Sequence, residues 1–297
     1  MNKHIFMDSF PVNLASFLFY RNKLYRDSLE SPFYEELLDS TELKWPDIKG
    51  KGTYEVPAQT ALGKLDPAFR VASWKGSDYP TIIYHHGNNE RPFDNKPFVN
   101  NTFKNIFLAA NPPVPANLIV VRAPHHRSFR LYMKHMGHLA TFTAVMAVST
   151  IMVENLTRYA IGKNTRVAVS GISLGGWITN LHRAFFNTAN IYIPLLAGTK
   201  PADVFTYSIY RKLTAPQARN NPEALEKILD FKDKFLEVKD KNVFPLLGRY
   251  DQIIRYEKQK ESYGDLHPVA AIDRGHVTAS LAVDQLRSHI LTHLKSY

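Results

Sequence analysis

RVAVSGISLGGWITN, Arg166 to Asn180, changes its period half-way along. Val167, Ala168 and Val169 make a short apolar run of the kind an interior strand needs, whereas Trp177, Ile178, Leu181 and, just beyond, Phe185 recur on one face of a helix. Ser173 stands at the junction, boxed by Gly171 and Gly175. A chain that passes from strand to helix so abruptly strains the residue at the corner, and small neighbours remove the atoms that would collide there. Gly176 gives the helix further room to pack close. The serine hydroxyl is thereby pushed out of the sheet, beside the free N–H groups of a helix N-terminus. This is the pattern of a nucleophile elbow, with Ser173 as nucleophile and the Leu174 N–H as the first oxyanion donor.

A serine hydroxyl is a weak nucleophile at neutral pH and needs a base, itself oriented by a carboxylate. Twelve histidines compete for the first role. His276 follows the apolar run VAAI in DRGHVTAS, at the end of what should be the last strand. His289 and His293 fall in a terminal helix, His4 in the N-terminal segment, and His182 on the helix after Ser173, pointing away. His276 is therefore the expected base. For the carboxylate, VFPLLGRYDQII places Asp251 just past the penultimate strand; its rival Asp273 is too near His276 in sequence for an easy side-chain hydrogen bond.

The second oxyanion donor is expected from the loop in TIIYHHGNNE, where Gly87 permits a sharp bend and Asn88, or else Asn89, presents its backbone N–H. His85 and His86 invite a metal reading, but neighbours on a strand point to opposite faces and no carboxylates cluster with them, so no metal is expected.

Outward from this centre, strand-like runs at 81–87, 117–124, 166–171, 190–198, 242–251 and 267–276 alternate with helical stretches. GTYEVPAQ and FRVASWKG precede them as a hairpin or an antiparallel start to the sheet. The alternation predicts an α/β fold, one mostly parallel sheet of about eight strands with helices on both faces, and chemistry beyond the carboxyl ends of the strands. Residues 12–45 look helical as far as Pro46. The charged, helix-prone segment Thr199 to Lys241 interrupts the alternation and would sit over the reactive edge as a lid. The 297 residues are expected to make a single domain.

Composition narrows the partners. The net charge is +10, but Lys and Arg are interleaved with acids and no basic run suited to phosphate tracking occurs, so nucleic acid is not expected. There is no cysteine, which removes disulfides, thiol nucleophiles and zinc–thiolate sites. MNKHIFMDSFPVNLASFLFYRNK has an apolar core interrupted by Asp8 and Pro11 and reads as an amphipathic helix, not a leader. LATFTAVMAVSTIMV, Leu139 to Val153, is shorter than a membrane span and reads as a buried helix. A cytoplasmic location is the expectation.

The His86-Gly87 strand end, the elbow Gly171-Ile172-Ser173-Leu174-Gly175, Asp251 after a late strand and His276 after the last together resemble the α/β-hydrolase superfamily, from about Gly52 onward. The resemblance implies an eight-stranded, mostly parallel sheet, a lid after the sixth strand, and hydrolysis of esters, thioesters, amides or lactones without a cofactor. The HGN tripeptide also resembles that of haloalkane dehalogenases, but those carry an aspartate nucleophile where Ser173 stands here. Residues 1 to about 50 lie outside the superfamily core. The expected function is acyl hydrolysis of a small-molecule substrate by Ser173, His276 and Asp251; acyl transfer, peptide cleavage or a non-catalytic binding module on the same fold are the alternatives. Asn89, together with Arg122 and His125 from VVRAPHHRSFR, is a candidate substrate contact, the cationic loop favouring an anionic group.

Overall fold

The structure, a computed structural model, describes residues 3–295. Eight strands make the main sheet: β1 (Gly52–Glu55), β2 (Ala68–Ser73), β3 (Thr81–His85), β4 (Asn117–Arg122), β5 (Val167–Ile172), β6 (Ile191–Leu195), β7 (Leu246–Gly248) and β8 (Ala270–Ile272). Their order is β1-β2-β4-β3-β5-β6-β7-β8. β2 runs antiparallel to both neighbours, and every pair from β4 across to β8 is parallel.

Strands β3, β4 and β5 are buried along their whole length, which is why their sequences are nearly continuous apolar runs with no polar face. Alternate residues serve opposite faces. Ile83, Ile119, Val121 and Val169 join a core with the long helix Leu139–Gly162 and the helix Leu174–Phe185, while Ile82, Val120, Ala168 and Ile193 pack with Leu286 and Ile290 of the C-terminal helix Val283–Lys295. The long helix extends nine residues past the apolar run that announced it. By length and composition it is apolar enough to cross a membrane, yet 78% of its most apolar window is buried inside the protein.

Two expectations do not hold. Residues 12–45 do not form one helical stretch: a helix spans Lys3–Leu18, and the next, Tyr34–Asp39, follows an irregular path. Along that path Leu24 bridges to Thr214 and Ser28 to His138, so the backbone finds distant partners in place of helical ones. GTYEVPAQ is likewise split. β1 stops at Glu55, and beyond Pro57, which has no N–H to donate, Ala58–Thr60 enters a separate antiparallel sheet with Glu42–Leu43 and Gly63–Leu65.

Between β6 and β7 the segment 199–241 folds as short helices, Ala202–Thr206, Pro216–Arg219, Pro222–Leu229 and Lys232–Glu237, with a 3₁₀ turn at Ile209–Leu213. Arg183, on the helix after Ser173, holds this segment from below. It is fully buried and donates to Asn242 Oδ1 (3.0 Å) and to the carbonyls of Phe235 (3.1 Å), Val238 (3.2 Å) and Asp240 (2.6 Å). Arg183→Ala would strand those acceptors, and a loss of about 3–5 kcal/mol is expected. Urea unfolding tests this: the midpoint should fall with little change in slope.

Candidate active site

Ser173 occupies the turn between β5 and its helix with φ 55° and ψ −113°, in the left-handed half of backbone space that non-glycine residues rarely enter. Holding it there costs about 1–3 kcal/mol, and the surroundings over-determine the turn. Ser173 N–H donates to the Leu195 carbonyl (2.8 Å), and its own carbonyl accepts from Trp177 N–H (3.0 Å). A Cβ on Gly171 would fall on the Gly175 carbonyl, and one on Gly175 would fall on the carbonyl of His85 in β3. Only glycine allows strand and helix to approach so closely.

Two loops from the far side of the sheet converge on this turn. His276, which opens the short helix His276–Ser280 after β8, has Nε2 at 3.1 Å from Ser173 Oγ and Nδ1 at 2.7 Å from Asp251 Oδ2. The other Asp251 oxygen accepts the N–H groups of Ile253 (2.8 Å) and Ile254 (2.7 Å), which fixes the carboxylate in its loop after β7. Burial alone would lower the pKa of His276, but the charge and hydrogen bond of Asp251, joined by the charge of Asp8, outweigh it and raise the pKa above 6.5. Asp273 points elsewhere, exposed and paired with Arg249 at 3.1 Å. His182 is buried against Glu154, 2.9 Å away.

On the opposite side of Ser173, the loop after β3 is pinned at several points. Glu90, buried, accepts Gly87 N–H (3.1 Å) and Thr102 N–H (2.8 Å), and the Asn88 amide bridges His126 (3.0 Å) and Tyr210 (3.0 Å). His85 and His86 do not point apart as expected for strand neighbours. β3 ends at His85, the chain turns, and the two rings stack with centroids 4.9 Å apart. His86 Nε2 accepts Ala123 N–H (3.0 Å), so Nδ1 carries the proton and donates to the Gly87 carbonyl (2.7 Å). Among the described residues no group of three His, Asp or Glu side chains could hold a metal ion.

Burial keeps these imidazoles neutral: His85 is lowered to about 3, His126 to about 4, and His86 falls well below its ordinary value. The unfolded chain protonates them near 6.5, so their stabilising contribution is complete above that pH and is lost as pH falls toward the folded values. At pH 5 the loss is about 2 kcal/mol for each of His85 and His126. A proton NMR titration of the ring carbons reads this directly: the His85 and His126 signals should hold still between pH 7 and pH 5, and signals that shift with a midpoint near 6.5 would show that the rings titrate freely in the native state.

Ser173 and His276 open into a cavity of about 410 Å³, with Leu174, Asn88 and Asn89 on its border. Its walls are mostly apolar: Phe142 and Trp177 from the core helices, Phe205 and Leu213 from the 199–241 segment, and Val12 and Ala15 from the N-terminal helix. Arg122 and His125 do not line it. The Arg122 guanidinium pairs with Glu55 (2.7 Å), and the His125 ring stacks on His135 with centroids 4.1 Å apart, so the expected cationic contact to substrate is withdrawn.

No protein-family model matches the sequence, and neither does any curated protein. Solved structures do. Acetyl xylan esterase 1 from a Thermoanaerobacterium species is 15% identical with a TM-score of 0.52, covering 89% of this chain and 96% of that one. A glucuronoyl esterase from Caldicellulosiruptor kristjansonii is 12% identical with a TM-score of 0.52, covering 96% of this chain and 85% of that one. An acylaminoacyl peptidase from Pyrococcus horikoshii is 13% identical with a TM-score of 0.54 over 83% of this chain, which spans 41% of the peptidase. The chain has the α/β-hydrolase fold.

To the α/β-hydrolase sheet the N-terminal helix adds something the sequence did not disclose. Asp8, fully buried, accepts the N–H groups of His276 (2.8 Å) and Gln252 (3.1 Å) on Oδ2 and of Val277 (2.8 Å) on Oδ1. One carboxylate thus ties the His276 loop to the residue next to Asp251. One turn earlier, His4 Nδ1 meets Thr278 Oγ1 at 2.8 Å. The available signal was an acid inside an apolar helix: such a residue needs buried donors, and none is local.

Proposed function

We propose that this chain is a serine acyl hydrolase acting on esters of small molecules. The observation that carries the reading is the continuous hydrogen-bonded line from Asp251 through His276 to Ser173 Oγ, ending at a strained turn that faces a mostly apolar cavity. That esterases stand among its structural neighbours supports the same reading. Ser173 Oγ bonds to the acyl carbon while its proton passes to His276 Nε2, and the carbonyl electron pair moves onto oxygen. The N–H groups of Leu174 and Asn88 receive that charge. The carbon–oxygen bond to the leaving group then breaks, with the imidazolium returning the proton to the departing alkoxide. Water repeats the cycle and frees the acid. Asp251 keeps the imidazole in the right tautomer and balances its charge, and the 199–241 segment serves as lid.

A fluorophosphonate probe tests the reading. Labelling of wild type at Ser173 and none of Ser173→Ala is expected, together with turnover of p-nitrophenyl esters. No adduct on the folded protein would leave a binding module; an adduct with peptide cleavage, or with transfer to an added alcohol in preference to water, would reassign the acceptor. Because the pKa of His276 is raised and only its neutral form accepts a proton, the acid limb of kcat/KM should be centred above 6.5.

A further inference from the structure

The helix Lys3–Leu18 has a buried side and an exposed apolar side. Its inner side, carrying His4, Asp8 and Val12, is buried against the active-site loops. Phe6, Phe10, Leu14, Phe17 and Leu18 recur at helical spacing on the opposite side and are exposed, Phe17 to 77% and Leu18 to 62%. Soluble surfaces seldom carry so large a continuous apolar stripe without a partner.

Charge indicates which partner. Between Lys3 and Arg26 the sole acid is Asp8, which is buried, so the stripe has no exposed carboxylate. Cations border it instead: Lys3 and Arg21 are exposed at its two ends, and Lys212 reaches Asn13 at 2.6 Å on one flank. A second copy of the chain laid face to face would bring these cations together with no acid between them. We propose that this stripe docks in the plane of an anionic lipid surface, with its aromatic and aliphatic side chains in the headgroup region and its basic border on lipid phosphates. The docking does not depend on the acyl-hydrolase reading.

Vesicle co-sedimentation tests it, using phosphatidylcholine alone and phosphatidylcholine with about 30% phosphatidylglycerol. The full chain is expected to bind the anionic vesicles at least about tenfold more tightly, since each basic residue near the surface contributes about a fivefold gain, and to be released by about 0.5 M salt. Phe10→Glu with Phe17→Glu should reduce binding at least about tenfold. Phe17→Ser alone, at the most exposed position, should reduce it less and guards against misfolding of the double variant. Neither phenylalanine lines the cavity, so turnover of a soluble ester should be unchanged. Absence of binding by wild type, or binding by both variants equal to that of wild type, overturns the proposal. So does a wild-type dimer in sedimentation velocity that the double variant converts to monomer, since the stripe would then belong to a second copy.

Discussion

Ser173→Ala, and equally His276→Ala, should lower kcat for ester hydrolysis by about a million-fold. The two losses should not add, because a hydroxyl without its base and a base without its hydroxyl leave the same residual site. Asp251→Asn should cost about ten-thousand-fold, since the amide favours the wrong imidazole tautomer. Asp273→Asn should change little: its carboxylate is on the surface with Arg249. Steady-state kinetics with a p-nitrophenyl ester measures all four. Near-wild-type turnover by Ser173→Ala or His276→Ala would remove the mechanism, and a large loss in Asp273→Asn alone would move the acid role.

Asp8→Ala should lower kcat by about a hundredfold with a smaller effect on KM, although Asp8 does not touch Ser173. Its carboxylate fixes three amides, two on the His276 loop and one beside Asp251, and a displacement of about 1 Å at a reacting group typically costs that much. Asp8→Asn separates position from charge. It retains one acceptor oxygen but removes a negative charge that helps to raise the pKa of His276, so the acid limb of kcat/KM should move to lower pH. Of the charged and titratable groups around Asp8, the substitution leaves His4, Asp251 and His276 in place. A variant with normal kcat and an unmoved acid limb would reduce Asp8 to an anchor for its helix.

Local constraints were the ones the sequence expressed best. The turn at Ser173 depends on residues within a few positions of it, because the colliding atoms belong to Gly171 and Gly175 themselves and to the strand beside them. Fully buried strands betray themselves as apolar runs, so the parallel sheet and its strand ends were legible, and with them the loops that carry Asp251 and His276. Asp8 was not. Its partners lie 244 to 269 residues away, and no periodicity records a carboxylate that caps somebody else's loop. His85 and His86 escape the alternation rule because it holds only while the strand lasts, and the strand stops at His85. Arg122 looked available to substrate until Glu55, 67 positions earlier, turned out to hold it.

Val12 and Ala15 form part of the cavity wall, and both come from the single N-terminal helix that ends at Leu18. Such a wall is modular. A shortened protein beginning near residue 21 should be revived by a synthetic peptide of residues 1–20 supplied in trans, and peptides differing at Val12 or Ala15 would then reshape acyl selectivity without any change to the scaffold that holds the serine.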